Sequence, residues 1–218
     1  MPRPLHLRHG LSAAACVALL AVAAGRLGAQ DIAIGGRLGL VGGEVWFENK
    51  ESVDFKTPMP GLQVGGLAAY RLNSILAVQG ELWYIQKGWR ETEAGAGRRL
   101  AYLELPVFLT VTAPWTVAPQ LLAGASGSLE LGCSVTGVPG VGSVSCDEPR
   151  VEWHHRKAQF GTWVGLGVRL RFGASHLDVQ LLGNLNLTNV NREALPRGYT
   201  RLLSFGVSAA YLIALGGK

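Results

Sequence analysis

The stretch Leu100-Ala101-Tyr102-Leu103-Glu104-Leu105-Pro106-Val107-Phe108-Leu109-Thr110-Val111-Thr112 decides the fold. Ala101, Leu103, Leu105, Val107, Leu109 and Val111 fall on one side of an extended chain. Tyr102, Glu104, Phe108, Thr110 and Thr112 fall on the other. Successive side chains of a strand point to opposite faces, so an unbroken two-residue period predicts a β-strand. One face here is wholly aliphatic, while the other mixes rings, hydroxyls and a carboxylate.

The same period recurs on both sides of this segment. In Leu76 to Lys87, Leu76, Val78, Gly80, Leu82 and Tyr84 oppose Gln79, Glu81 and Lys87, which share their side with Ala77, Trp83 and Ile85. In Ala158 to Phe172, Phe160, Val164, Leu166, Val168, Leu170 and Phe172 oppose Gln159, Trp163, Arg169, Arg171 and three glycines. In His176 to Thr188, Leu177, Val179, Leu181, Leu185 and Leu187 oppose His176, Asp178, Gln180, Asn184 and Asn186. Four segments alternate more weakly: Asp31 to Val41, with Arg37 on its polar side; Pro60 to Arg71, with Gln63 and Arg71; Thr116 to Leu129, with Gln120, Ser126 and Ser128; and Tyr199 to Ile213, with Ser204 and Ser208. Helical spacing is nearly absent, and the eight segments make an even strand number.

The connections sort by length. Turns at Leu72 to Ile75, Ala113 to Trp115 and Gly173 to Ser175 are tight, whereas Gly42 to Met59, Gly88 to Arg99, Glu130 to Lys157 and Asn189 to Gly198 are long. Short turns at one end and long loops at the other are the pattern of an outer-membrane barrel. Aromatic residues on the apolar faces sort likewise. Tyr70, Phe172 and Tyr211 fall near the short turns, and Tyr84, Phe160 and Tyr199 near the long loops, as rings at two membrane interfaces would.

The first segment is read separately. Met1 to Gly10 carries Arg3 and Arg8 without an acid, Leu11 to Ala24 is small and aliphatic, and Ala29 supplies a small residue for cleavage. This predicts a secretory signal peptide over 1–29 and a barrel domain over 30–218. Its apolar run is short for a transmembrane helix, and Cys16 lies inside that run rather than at its end, against a lipoprotein signal. Losing Arg3, Arg8 and Arg26 lowers the formal charge from +5 to +2. With no basic cluster interleaved with aromatics, nucleic acid is not an expected partner. The remaining cysteines, Cys133 and Cys146, are expected to form a disulfide in an oxidising compartment.

A spanning sheet must close, because lipid offers its edges no hydrogen bonds. Its charges then point inward, where they must pair. The polar faces collect Arg37, Arg71, Glu81, Lys87, Glu104, Arg169, Arg171 and Asp178, with both signs present, which predicts an interior network. An eight-stranded barrel is narrow enough for side chains to fill, so a plugged interior is expected. Alternation alone does not separate inside from outside. A soluble ligand-binding barrel would invert the pattern; the loop sorting, the sparse charge and the resemblance described next argue against it.

The chain also carries a family signature. Gly61-Leu62-Gln63-Val64-Gly65-Gly66-Leu67-Ala68-Ala69-Tyr70-Arg71-Leu72, then Leu76-Ala77-Val78-Gln79-Gly80-Glu81-Leu82-Trp83-Tyr84-Ile85-Gln86-Lys87-Gly88, then Tyr102-Leu103-Glu104-Leu105-Pro106 resemble successive strands of the PorT-like outer-membrane β-barrel family. The resemblance implies an eight-stranded barrel in the outer membrane of a two-membrane bacterium, inserted by the barrel-assembly machinery into outer-membrane lipid. It implies no reaction. Barrels of this kind commonly end on an aromatic residue, whereas this chain ends Ala214-Leu215-Gly216-Gly217-Lys218, with Tyr211 still in the last strand.

Other candidates are weaker. His154 and His155 are adjacent, so on extended chain they point apart and make a poor metal site. Ser175-His176-Leu177-Asp178 holds the side chains of a hydrolase triad, but no nucleophile elbow accompanies them. Glu81 and Glu104 are a carboxylate pair that facing arginines explain more simply. The glycines match no phosphate-binding loop. The expectation is therefore an all-β, eight-stranded, antiparallel up-and-down transmembrane barrel without cofactor, metal or catalytic site. Its surface loops, with Trp46, Phe47 and Trp153 as contact candidates, would meet an external ligand or protein. A narrow pore and an outer-membrane lipid hydrolase are the alternatives within the membrane.

Overall fold

The computed structural model describes residues 32–48, 53–55, 57–90, 97–137, 142–148, 156–189 and 199–215. The expected signal peptide lies outside them. The elements are β1 (Ile32–Glu48), β2 (Val53–Phe55), β3 (Thr57–Arg71), β4 (Leu76–Arg90), β5 (Gly97–Thr112), β6 (Val117–Thr136), β7 (Ser143–Ser145), β8 (Ala158–Phe172), β9 (Ser175–Asn186) and β10 (Tyr199–Ala214). Eight are barrel staves. β2 and β7 are short flaps that pair with β1 and β6. Each stave is antiparallel to its sequence neighbour, and β1 pairs with β10 from Ala33↔Ala214 to Glu48↔Tyr199, which closes the sheet.

Turn chemistry fixes the short-turn end. Asn73 accepts the backbone N–H groups of Ile75 and Leu76 on its Oδ1 at 2.9 and 2.8 Å, closing β3–β4. Between β8 and β9, Phe172 faces Ser175 across a two-residue turn whose Gly173 has φ +63°, a conformation that suits glycine and the twist of a hairpin.

The staves run 12 to 20 residues, whereas about 9–11 residues cross a bilayer. The excess lies beyond the apolar band, at the long-loop end. Three expected loops are therefore partly strand. β1 continues to Glu48, β4 to Arg90, and β6 to Thr136. Above the lipid the outer face no longer needs aliphatic residues, so the alternation fades while backbone pairing continues. In β6 a bulge adds to this. Tyr102 pairs with Glu130 and Ala101 with Gly132, which leaves Leu131 as an extra residue and flips the parity of everything after it.

Cys133 consequently sits on β6 rather than in a free loop. A disulfide joins it to Cys146, just past β7, with the Cα atoms 5.4 Å apart. The bridge spans a sequence separation of 13, for which loop-closure entropy supplies about 3 kcal/mol. Replacing both cysteines with serine should leave the barrel heat-modifiable on gels. It should, however, release amide protection and protease resistance across Ser143–Ser145. A barrel that no longer inserts would show that the bridge is needed for assembly.

The two wall faces differ sharply. Leu103 and Leu105 on β5 are 39% and 57% exposed, while Tyr102 and Glu104, which alternate with them, are each 1% exposed. The same inversion holds around the wall. Leu38, Leu40, Leu121, Leu166, Leu181 and Val207 point out, and Arg37, Gln120, Asp178 and Gln180 are buried within. An apolar exterior enclosing ionised groups suits hydrocarbon surroundings and would be unstable in water.

Candidate functional site

The chemistry of this molecule is concentrated in the barrel lumen. Arg37 on β1 reaches across to Glu81 on β4 in a two-pronged ion pair, Nε to Oε2 at 2.7 Å and Nη2 to Oε1 at 2.8 Å. Its remaining prong, Nη1, donates to Gln180 Oε1 and Ser208 Oγ, each at 2.6 Å. Glu81 also accepts from Gln79 Nε2 at 2.6 Å and from the indole N–H of Trp83 at 2.5 Å. Gln180 passes the network to Gln120 at 2.5 Å. Gln120 Nε2 donates in turn to Asp178 Oδ2 at 3.4 Å, and Asp178 accepts two further bonds from Arg169, each at 2.7 Å. A buried ion pair is tolerable only when the remaining lone pairs and protons are also satisfied, and this chain of amides does that.

A second cluster lies nearer the long-loop end. Lys87 Nζ donates to Glu104 Oε2 at 2.9 Å and to Asn184 Oδ1 at 3.1 Å. The other oxygen of Glu104 accepts from Ser126 at 2.7 Å and from the Trp163 indole at 2.6 Å. The Lys87 ammonium stands 5.2 Å from the Trp163 ring and 5.8 Å from that of Tyr102, within cation–π range. Above it, Gln159 donates to the Tyr102 hydroxyl at 2.9 Å and accepts from Asn186.

Aromatic rings fill the space between the clusters. Trp83 and Trp163 meet edge to face at 5.1 Å, and Phe108 lies 5.9 Å from Trp83. Small residues opposite make room for them. A Cβ on Gly65 would stand 2.2 Å from the Leu82 carbonyl oxygen and 2.7 Å from the Trp83 ring, so only glycine fits there.

Six of the eight charged residues expected inside are joined in three pairs: Arg37 with Glu81, Lys87 with Glu104 and Arg169 with Asp178. The partner of Glu104 is a lysine, not an arginine. Arg71 and Arg171 lie outside the sealed network. Arg71 is exposed at the short-turn rim, and Arg171 donates to the turn carbonyls of Trp115 and Ala113 at 2.6 and 3.2 Å. Parity assigned both to the inner face but is silent on depth, and both sit where the staves leave the membrane. The triad candidate is placed at this rim too, with both oxygens of Asp178 committed to Arg169.

Trp46 and Phe47 belong to the β1 extension, where their backbones pair with Arg201 and Thr200, so they stand on strand rather than loop. Their side chains lie outside the described residues, as do Trp153, His154 and His155. The indole N–H groups of Trp83 and Trp163 were not legible as network members. Their inward parity was the available signal, but the carboxylates they serve depend on ring orientation.

The model of an outer membrane protein β-barrel domain family matches residues 28–192. No curated protein matches the chain in sequence. Several solved structures are similar in fold at low identity. Ail of Yersinia pestis, in complex with the heparin analogue sucrose octasulfate, is 12% identical, with TM-score 0.43 over 84% of this chain and 99% of that one. Neisserial surface protein A is 16% identical, with TM-score 0.45 over 82% and 96%. OprG of Pseudomonas aeruginosa is 10% identical, with TM-score 0.47 over 86% and 97%.

Proposed function

We propose, from the premise that the chain belongs to the outer membrane protein β-barrel domain family and resides in the bacterial outer membrane, that its barrel is a sealed anchor for projecting strands and loops. The observation that carries this reading is the filled lumen. Trp83, Trp163, Tyr102, Lys87 and Glu104 are each at most 1% exposed, and they span the interior from opposite walls. Water would have to displace paired charges and interlocked rings to form a channel. Conduction is therefore not the role proposed, and neither is catalysis, since Glu81, Glu104 and Asp178 each serve a cation that neutralises it.

The part left to act is the rim that rises past the lipid. β1 with β2, and β5 and β6 with β7 and the disulfide, form stiff walls on which the long loops stand. These walls present a contact surface to a ligand or protein outside the cell. The three linked strand matches from Gly61 to Pro106 support a place in the PorT-like branch of the family.

Planar-bilayer recording of the refolded protein tests the seal. The expected result is a baseline without stable ion-sized steps. Discrete, voltage-sustained steps carried by the purified protein would replace the anchor reading with a narrow pore.

A further inference from the structure

The short-turn end is not flush. A recess of about 560 Å³ opens there, and its wall includes Arg71, Thr112, Arg169, Arg171, Ser175 and His176. Short turns face the periplasm in barrels of this kind, so the recess opens toward that compartment.

Its arginines are held in different ways. Deeper in the lumen each cation is matched by a carboxylate, and Arg169 at the recess is matched by Asp178. Arg171 differs. Its two hydrogen bonds go to neutral carbonyls of the Ala113–Trp115 turn, which hold the guanidinium in place without cancelling its charge. No Asp or Glu occurs among the described residues of the wall. Two buried polar atoms of the same wall, Thr112 Oγ1 and His176 Nε2, make no hydrogen bond, and Thr112 is only 4% exposed. Buried groups left in that state are costly, so both retain hydrogen-bonding capacity that no described protein group uses.

We propose that this recess is a binding site for a small oxyanion, carboxylate or phosphate, entering from the periplasmic side. The planar donor fork of arginine matches two oxygens of either group, and the Thr112 hydroxyl and His176 nitrogen complete the shell. The recess is larger than one phosphate group, so the anion can be free or carried on a larger molecule such as a phospholipid headgroup.

The test uses the folded full-length barrel in a neutral maltoside detergent, observed through the backbone amides of Gly173, Ala174 and His176 by NMR. Inorganic phosphate, citrate and micelles doped with phosphatidylglycerol are titrated separately against sodium chloride of equal ionic strength. Saturable shifts with phosphate or citrate identify a soluble oxyanion, and shifts with phosphatidylglycerol alone identify a headgroup phosphate. Either supports the site. Arg171→Gln should weaken binding by roughly tenfold or more, the loss of a charge-assisted contact. If that variant does not fold, Thr112→Val, which keeps the shape and removes the hydroxyl, should also weaken it. Shifts no larger than those of chloride, or binding undiminished in the folded variants, would overturn the proposal. Neither outcome bears on whether the lumen above is sealed.

Discussion

Glu81→Ala should destabilise the barrel by about 3–5 kcal/mol, the cost of stranding a buried charge. The loss is concentrated because Glu81 is a hub. Arg37 is 2% exposed and gives two of its prongs to this carboxylate, and Gln79 and the Trp83 indole donate to it as well. Alanine would leave a guanidinium with Gln180 and Ser208 as partners and two further donors with nothing to bond. The double variant Arg37→Met, Glu81→Leu should recover most of the loss, because an apolar pair of similar volume no longer carries charge into the lumen. Urea titrations of folding into lipid vesicles, followed by tryptophan fluorescence, measure both. A double variant as unstable as the single one would show that the ion pair is not the source of the effect.

Leu105→Arg should cost about 2–4 kcal/mol in the same assay, the depth-dependent cost of a cation on the lipid face near the bilayer middle. Leu105 lies halfway along the aliphatic face of β5, is 57% exposed, and pairs with Gly127. Its surroundings alone set the magnitude. On a water-facing wall the same substitution would change stability by within about 0.5 kcal/mol. A near-zero effect in vesicles would mean that this face does not touch hydrocarbon, and the inside-out reading of the whole wall would fall with it.

The staves were legible because strand alternation is a local property. In β5 every second side chain from Ala101 to Val111 is apolar, and nothing outside that segment is needed to see it. Stave ends were less legible. β6 was expected to stop at Leu129 because the Leu131 bulge reverses parity, so that Cys133 turns inward where a regular strand would turn it out. β1 was expected to stop at Val41 because Gly42 and Gly43 carry no apolar signal, although both pair with β10. The lumen residues were legible as a polar face, but their sorting into partners was not. Lys87 and Arg171 occupy equivalent inward positions on their strands, yet one is sealed against Glu104 and the other sits at a watery rim.

The amino-acid sequence by itself settled that this chain is built of two-faced strands joined by short turns at one end and long loops at the other. Those features are written in stereochemistry between near neighbours. Only the closed barrel decided which face meets lipid and which cation meets which acid. Arg37 bonds to residues 44, 143 and 171 positions away, and contacts that distant exist only after β10 has come round to pair with β1. Closure of the sheet, rather than any local preference, brings those side chains within reach of one another.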